Sequence, residues 1–100
     1  MVQATTPTFV LTLPNSVDLT IVENIYFTLR QGANLIEKTG EDLTVDGQTV
    51  SVYLTQAETL ALAVGQARLQ LNWTYAGGVR ACTNIAHVAV SENLLKRVIE

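Results

Sequence analysis

Alternation of apolar and polar residues with a period of two dominates this chain of 100 residues. It is clearest in residues 68–75, where Leu69, Leu71 and Trp73 alternate with polar side chains. Successive side chains of a strand point to opposite faces, so such runs are typical of strands with one buried face. Similar runs occur in residues 8–13, 25–30, 35–38, 43–45, 50–54 and 79–90. The pattern therefore predicts about seven strands.

Turn signals between these runs indicate antiparallel pairing. Residues 31–34 and the pair Asp46-Gly47 each separate two apolar runs. At Asp46-Gly47 we predict a type I′ hairpin turn, which needs positive φ at both central residues. The phase of the last run slips between Thr83 and Ala86, which predicts a β-bulge there. Seven short strands favour an all-β, two-sheet antiparallel sandwich, with a small barrel as the alternative.

Two segments depart from the alternation. Thr55 and Glu58 fit a capping box, which predicts one or two helical turns over residues 56–63, with Gly65 placed to end them. Residues 92–100 form a C-terminal tail whose apolar side chains fall at helical spacing. We therefore expect one domain over residues 1–100, with the sandwich spanning about residues 6–91.

The inward parity of the strands defines a core, and an apolar fraction of 48% is enough to build one. The predicted core residues are Phe9, Leu11, Ile25, Phe27, Leu29, Val50, Val52, Leu54, Leu69, Leu71 and Trp73.

The composition argues against several classes of function. Only 15% of residues are charged and the net charge is −3, with the basic residues scattered along the chain. Nucleic-acid binding is therefore not expected, because it needs clustered Lys and Arg against phosphates. No apolar run reaches the ~18 residues that cross a membrane. The first residues lack the features of a secretory signal, so we expect synthesis in a cytoplasm and no contact with a membrane.

The reactive side chains are too few for an evident catalytic site. The lone Cys82 and the lone His87 fall on opposite parities of one predicted strand, and a Cys–His nucleophile needs direct contact and an orienting group. Glu41 and Asp42 are interpreted as turn residues rather than as a carboxylate pair across a cleft. We therefore expect no enzyme activity, no catalytic residue, no metal site and no cofactor.

Some side chains fall on the solvent parity and are of the types enriched at protein interfaces, notably Tyr26 with Arg30 beside it, and Tyr53. The tail adds an apolar stripe that either docks a partner, which includes a second copy of the chain, or folds back over its own sandwich. The candidate interface residues are Tyr26, Arg30, Tyr53, Leu94, Leu95, Val98 and Ile99.

Several segments together resemble a known family. They are residues 41–60, which carry the hairpin and the capped turn, residues 72–78, residues 84–90 and residues 94–99. The chain resembles, over about residues 6–99, the N-terminal domain of phage baseplate upper proteins and related prophage tail proteins of Gram-positive bacteria. The resemblance implies an immunoglobulin-like β-sandwich that acts in the virion by binding other tail or baseplate proteins.

In the longer proteins of that family, further modules follow this domain, whereas this chain ends after it. We therefore expect a small stand-alone tail or virion component with a structural function that depends on protein–protein interaction, and homo-oligomerisation is consistent with it. The alternative is a small β-sandwich module that binds carbohydrate or a host surface.

Overall fold

A computed structural model describes residues 1–100. It contains two antiparallel sheets, and the apolar side chains on the inward faces of the strands are buried between them. The predicted all-β sandwich is confirmed. One sheet has the order β1-β5-β4, and the other has β3-β2-β6 with both β7 and β8 on the far side of β6. The strands are β1 (Thr8–Thr12), β2 (Val22–Gln31), β3 (Asn34–Thr39), β4 (Leu43–Asp46), β5 (Thr49–Tyr53), β6 (Gly65–Tyr75), β7 (Arg80–Cys82) and β8 (Ala86–Val90). One helix, α1 (Gln56–Leu60), and two 3₁₀ turns, Gly40–Asp42 and Ala76–Gly78, complete the elements.

Most of the predicted core is buried in one cluster. Phe9, Leu11 and Ile25 differ, because they are half-buried and pack against its margin. The cluster also contains residues that the prediction left out, which are Leu13, Ile36, Leu62, Ala67 and Val90. Leu62 follows the helix and therefore carries no strand parity from which its burial could be predicted.

The predicted bulge is present and divides the last predicted strand into β7 and β8. Asn72 pairs with Cys82 and Leu69 pairs with Ala86, so one extra residue lies on the β7–β8 side. The Thr83 amide donates to the Leu71 carbonyl at 2.9 Å, and the Leu71 amide donates to the Thr83 hydroxyl at 3.1 Å. The side chain of Thr83 thus replaces a missing backbone partner, and the fold has eight strands where seven were predicted.

The β4–β5 hairpin forms where Asp46-Gly47 predicted it, but the predicted type I′ turn is wrong. Asp46 pairs with Thr49, so the central residues are Gly47 and Gln48. Of these two only Gly47 has positive φ, at 58°. A glycine at the first central position is the pattern of a type II′ turn. The Gln48 side chain donates to the carbonyls of Pro14 and Val17, each at 2.8 Å, which ties this hairpin to the loop after β1.

The capping box is confirmed, and the helix is shorter than predicted. The Thr55 amide donates to the Glu58 carboxylate at 2.8 Å, and the Glu58 amide donates to the Thr55 hydroxyl at 3.2 Å. The helix ends at Leu60, and Gly65 begins β6 rather than ending the helix. The tail is not helical despite its spacing, because nine residues are too few to form a helix without support from packing.

The first three residues pair with the end of β8 in the larger sheet. The Met1 amino group donates to the Ala89 carbonyl at 2.9 Å, and the Gln3 amide donates to the Ser91 carbonyl at 3.0 Å. The chain then crosses to the other sheet, where β1 pairs with β5. One end of the outer edge of β8 is therefore covered by the N-terminus.

Candidate interaction surfaces

The predicted interface residues lie in three separate places. Tyr26 and Arg30 are on the outer face of the larger sheet, where Tyr26 is half-buried and Arg30 is exposed. Tyr53 is exposed at the end of β5, in the smaller sheet. The four tail residues lie beyond β8, and the last of them, Ile99, is hydrogen-bonded to Gln56 of α1. The structure therefore offers several surfaces rather than one combined site.

The tail is tied to the domain at two points. The Gln56 side-chain amide donates to the Ile99 carbonyl, and the Ile99 amide donates to the Gln56 amide oxygen, both at 2.8 Å. Nearer to β8, the Asn93 side chain donates to the Gln3 carbonyl at 2.9 Å. The backbone of the tail thus folds back over the domain, which was one of the two alternatives for this segment.

Folding back does not bury the apolar side chains of the tail. Leu94 is 93% exposed, and about half of the surface of Leu95, Val98 and Ile99 is exposed. The backbone of the tail is thus anchored to the domain while its apolar side chains remain exposed to solvent.

A basic row crosses the outer face of the larger sheet. Arg30 on β2 lies directly opposite Arg68 on β6, and Arg68 lies directly opposite His87 on β8. Like charges at opposed positions destabilise a sheet unless a counter-charge is present. The ion pairs of the chain are Lys38–Glu58 and Lys96–Glu92, so neither arginine has a carboxylate partner.

A shallow groove of about 250 Å³ lies along this row and is lined by Thr28, Arg30, Arg68 and Gln70 among others. Its chemistry suits an anionic group, because two guanidinium groups border it, whereas the Gln70 side-chain amide donates to the Thr83 carbonyl at 2.8 Å. The sequence prediction missed this patch. The arginines are far apart in sequence, and only the register of β2 against β6 brings them together.

A second groove of about 360 Å³ lies on the same face, lined in part by Tyr26, Glu37, Asn72 and Arg80. The Nε and Nη2 atoms of Arg80 donate to the Asn72 side-chain oxygen at 3.2 and 3.0 Å. Trp73 belongs to the core and is buried, as predicted. The half-buried Tyr26 gives the groove an aromatic edge, and its other walls are mainly polar.

The titratable groups with shifted pKa values stabilise local structure. Burial raises the pKa of Glu58, but the hydrogen bonds from Lys38 and Thr55 outweigh it, so the net pKa of this carboxyl is lowered. Hydrogen bonds from the hydroxyl and amide of Thr20 lower the pKa of Asp18, whose carboxylate thereby stabilises the local turn.

Cys82 and His87 lie on different strands, at either side of the bulge, and both are exposed. No group of three or more His, Cys, Asp or Glu side chains is placed to hold a metal ion. None of the helices has the length and apolar character needed to span a membrane. Comparison with known proteins found no family model, no curated protein and no solved structure that matches the chain.

Proposed function

We propose that this chain is a structural protein of a phage or prophage tail or baseplate, which acts by binding other tail proteins and catalyses no reaction. The observation that supports an interaction function concerns the C-terminal residues 92–100. Their backbone is hydrogen-bonded to the domain while their apolar side chains stay exposed. The phage assignment rests on the resemblance of residues 41–60, 72–78, 84–90 and 94–99.

An anchored tail is better suited to docking than a free one. Ordering a flexible segment on binding costs conformational entropy for each side chain and each backbone unit that is fixed. The bonds from Gln56 and Asn93 meet part of that cost before a partner arrives. A partner with an apolar groove can therefore bury Leu94 and its neighbours without first folding the segment.

Locating the protein in purified particles tests the proposal. The expected result of quantitative mass spectrometry is a fixed ratio of this chain to the known tail proteins, kept through gradient purification. A chain that is abundant in the lysate and missing from the particles would contradict the proposal.

The basic row supports a second function, the binding of an anionic group on a host-surface glycan. Nuclear magnetic resonance titration with an acidic and a neutral oligosaccharide of equal length tests it. Shifts should occur at Arg30, Arg68 and Gln70 with the acidic sugar only, and should be lost in Arg68→Gln but kept in Arg97→Gln, which removes the same charge from the tail. Equal shifts in both variants would refute a site at this row.

A further inference from the structure

Strand β1 is an edge strand whose outer backbone groups have no partner. The Leu54 amide donates to the Pro7 carbonyl and the Leu13 amide donates to the Gln48 carbonyl. Hydrogen-bonded positions alternate along an antiparallel pair, so the odd-numbered residues of β1 bond to β5. The amides and carbonyls of Thr8, Val10 and Thr12 therefore point away from the sheet. Pro7 faces β5 and removes no donor from the free edge, so it does not protect that edge.

The other edges of the sandwich are protected. The outer edge of β3 is centred on Glu37, so pairing with a second β3 along the whole strand would place two carboxylates opposite each other. Strand β4 follows Asp42 directly and ends at Asp46, and its Leu43 amide already donates to the Gly40 carbonyl. The β7–β8 edge is broken by the bulge and covered at one end by residues 1–3. Natural sheets use these devices against edge-to-edge association.

No such device protects β1. The first ionisable side chain of the sequence is Asp18, so no charged side chain lies in or beside the strand. Its residues read Thr-Phe-Val-Leu-Thr, which is nearly the same in both directions by residue class. Turned antiparallel about Val10, the strand places threonine opposite threonine, Phe9 opposite Leu11, and valine opposite valine.

From this self-complementary edge we infer that the partner of β1 is a second copy of the chain, paired antiparallel and centred on Val10. This inference deepens the proposed interaction function and rests on it. The pairing joins the two smaller sheets into one and forms about six backbone hydrogen bonds, two for each outward-facing residue. Cross-strand Thr–Thr and β-branched pairs add to the stability of the contact.

The groove beneath this edge supports the same arrangement. It has a volume of about 550 Å³ and is lined by uncharged residues only, among them Leu11, Leu13 and Trp73. In the paired form, the inward-facing Phe9 and Leu11 of the second copy lie beside its opening. The apolar mouth of each groove is then covered by the other copy.

Sedimentation velocity from about 10 to 500 μM protein tests the inference, a range chosen because a small edge contact gives a weak interface. The expected result is a concentration-dependent dimer. Val10→Lys, which places two ammonium groups together at the centre, should weaken it at least tenfold. Val10→Pro removes only the outward-facing amide, costs no bond within the chain, and should weaken it similarly. Val64→Lys is the control, because Val64 is 60% exposed, Val10 is 62% exposed, and Val64 lies outside the strands.

Amide exchange of the unmodified chain removes any dependence on how the variants fold. The amides of Val10 and Thr12 should exchange more slowly as concentration rises, while those of Phe9 and Leu11 are protected at every concentration. A monomer at all concentrations, or a dimer that both Val10 variants leave intact, would overturn the β1 pairing. Neither result bears on whether the chain is present in purified particles, so failure of the inference and failure of the proposed function are distinguishable.

Discussion

Replacement of Leu71 by alanine tests the packing of the sandwich at its centre. Leu71 is fully buried on β6, opposite the fully buried Phe27 on β2. Removing three carbons costs about 2 kcal/mol in lost transfer free energy. A cavity term adds to this and brings the expected loss to about 2–5 kcal/mol. The upper half of that range is expected, because pairing on both sides of β6 prevents the backbone from closing the cavity.

Urea unfolding followed by circular dichroism measures the loss. A domain of this size has a total stability of about 5–15 kcal/mol, and each kcal/mol lost lowers the melting temperature by about 4–8 °C. The transition midpoint should therefore fall steeply while the slope stays unchanged. Leu94→Ala is the matched control, since this leucine is exposed and its removal should cost under ~0.5 kcal/mol. If Leu71→Ala costs no more than the control, the assigned inward face of β6 is wrong.

Three further results are expected. Glu58→Gln should destabilise the chain by about 1 kcal/mol at neutral pH, because it removes the negative charge that interacts with the N-terminus of the helix and with Lys38. Because the folded-state pKa of Glu58 is lowered, its contribution is present above the unfolded value of 4.5 and is lost as pH falls through the folded value, so the difference in stability between wild type and variant should shrink in urea titrations as pH falls below 4.5. Gly47→Ala should lower the free energy of unfolding by about 1 kcal/mol because φ is positive there. Ala33→Gly, in the two-residue loop of the β2–β3 hairpin, should change that free energy by well under this amount. Gln56→Ala should release the end of the tail, seen as faster amide exchange at Ile99 with little change in the unfolding midpoint.

The local sequence pattern predicted the strands and the bulge, because both depend on the alternation of apolar and polar residues over a few positions. The phase slip after Thr83 identified the extra residue directly. The type of hairpin at Gly47 was not predictable in this way, because it depends on which residue of β5 pairs with Asp46.

Features that depend on register or on isolated long-range contacts escaped prediction. The row formed by Arg30, Arg68 and His87 exists only because three distant strands align. The pairing of residues 1–3 with Ser91 is a single short bridge with no periodic signal. The apolar tail was recognisable, but its anchoring depends on side-chain bonds from Gln56 and Asn93, which no spacing rule indicates.

Genetic complementation tests the central proposal. It states that this chain is a structural protein of a phage tail or baseplate and binds its partners through the exposed apolar side chains of residues 92–100. Disruption of the gene in a lysogen should remove infectious particles with intact tails, as counted by plaque assay and negative-stain electron microscopy. The wild-type gene should restore them. A gene carrying Leu94→Asp and Val98→Asp, whose product is verified to fold, should not. Normal tails and normal titres without the protein would contradict the account.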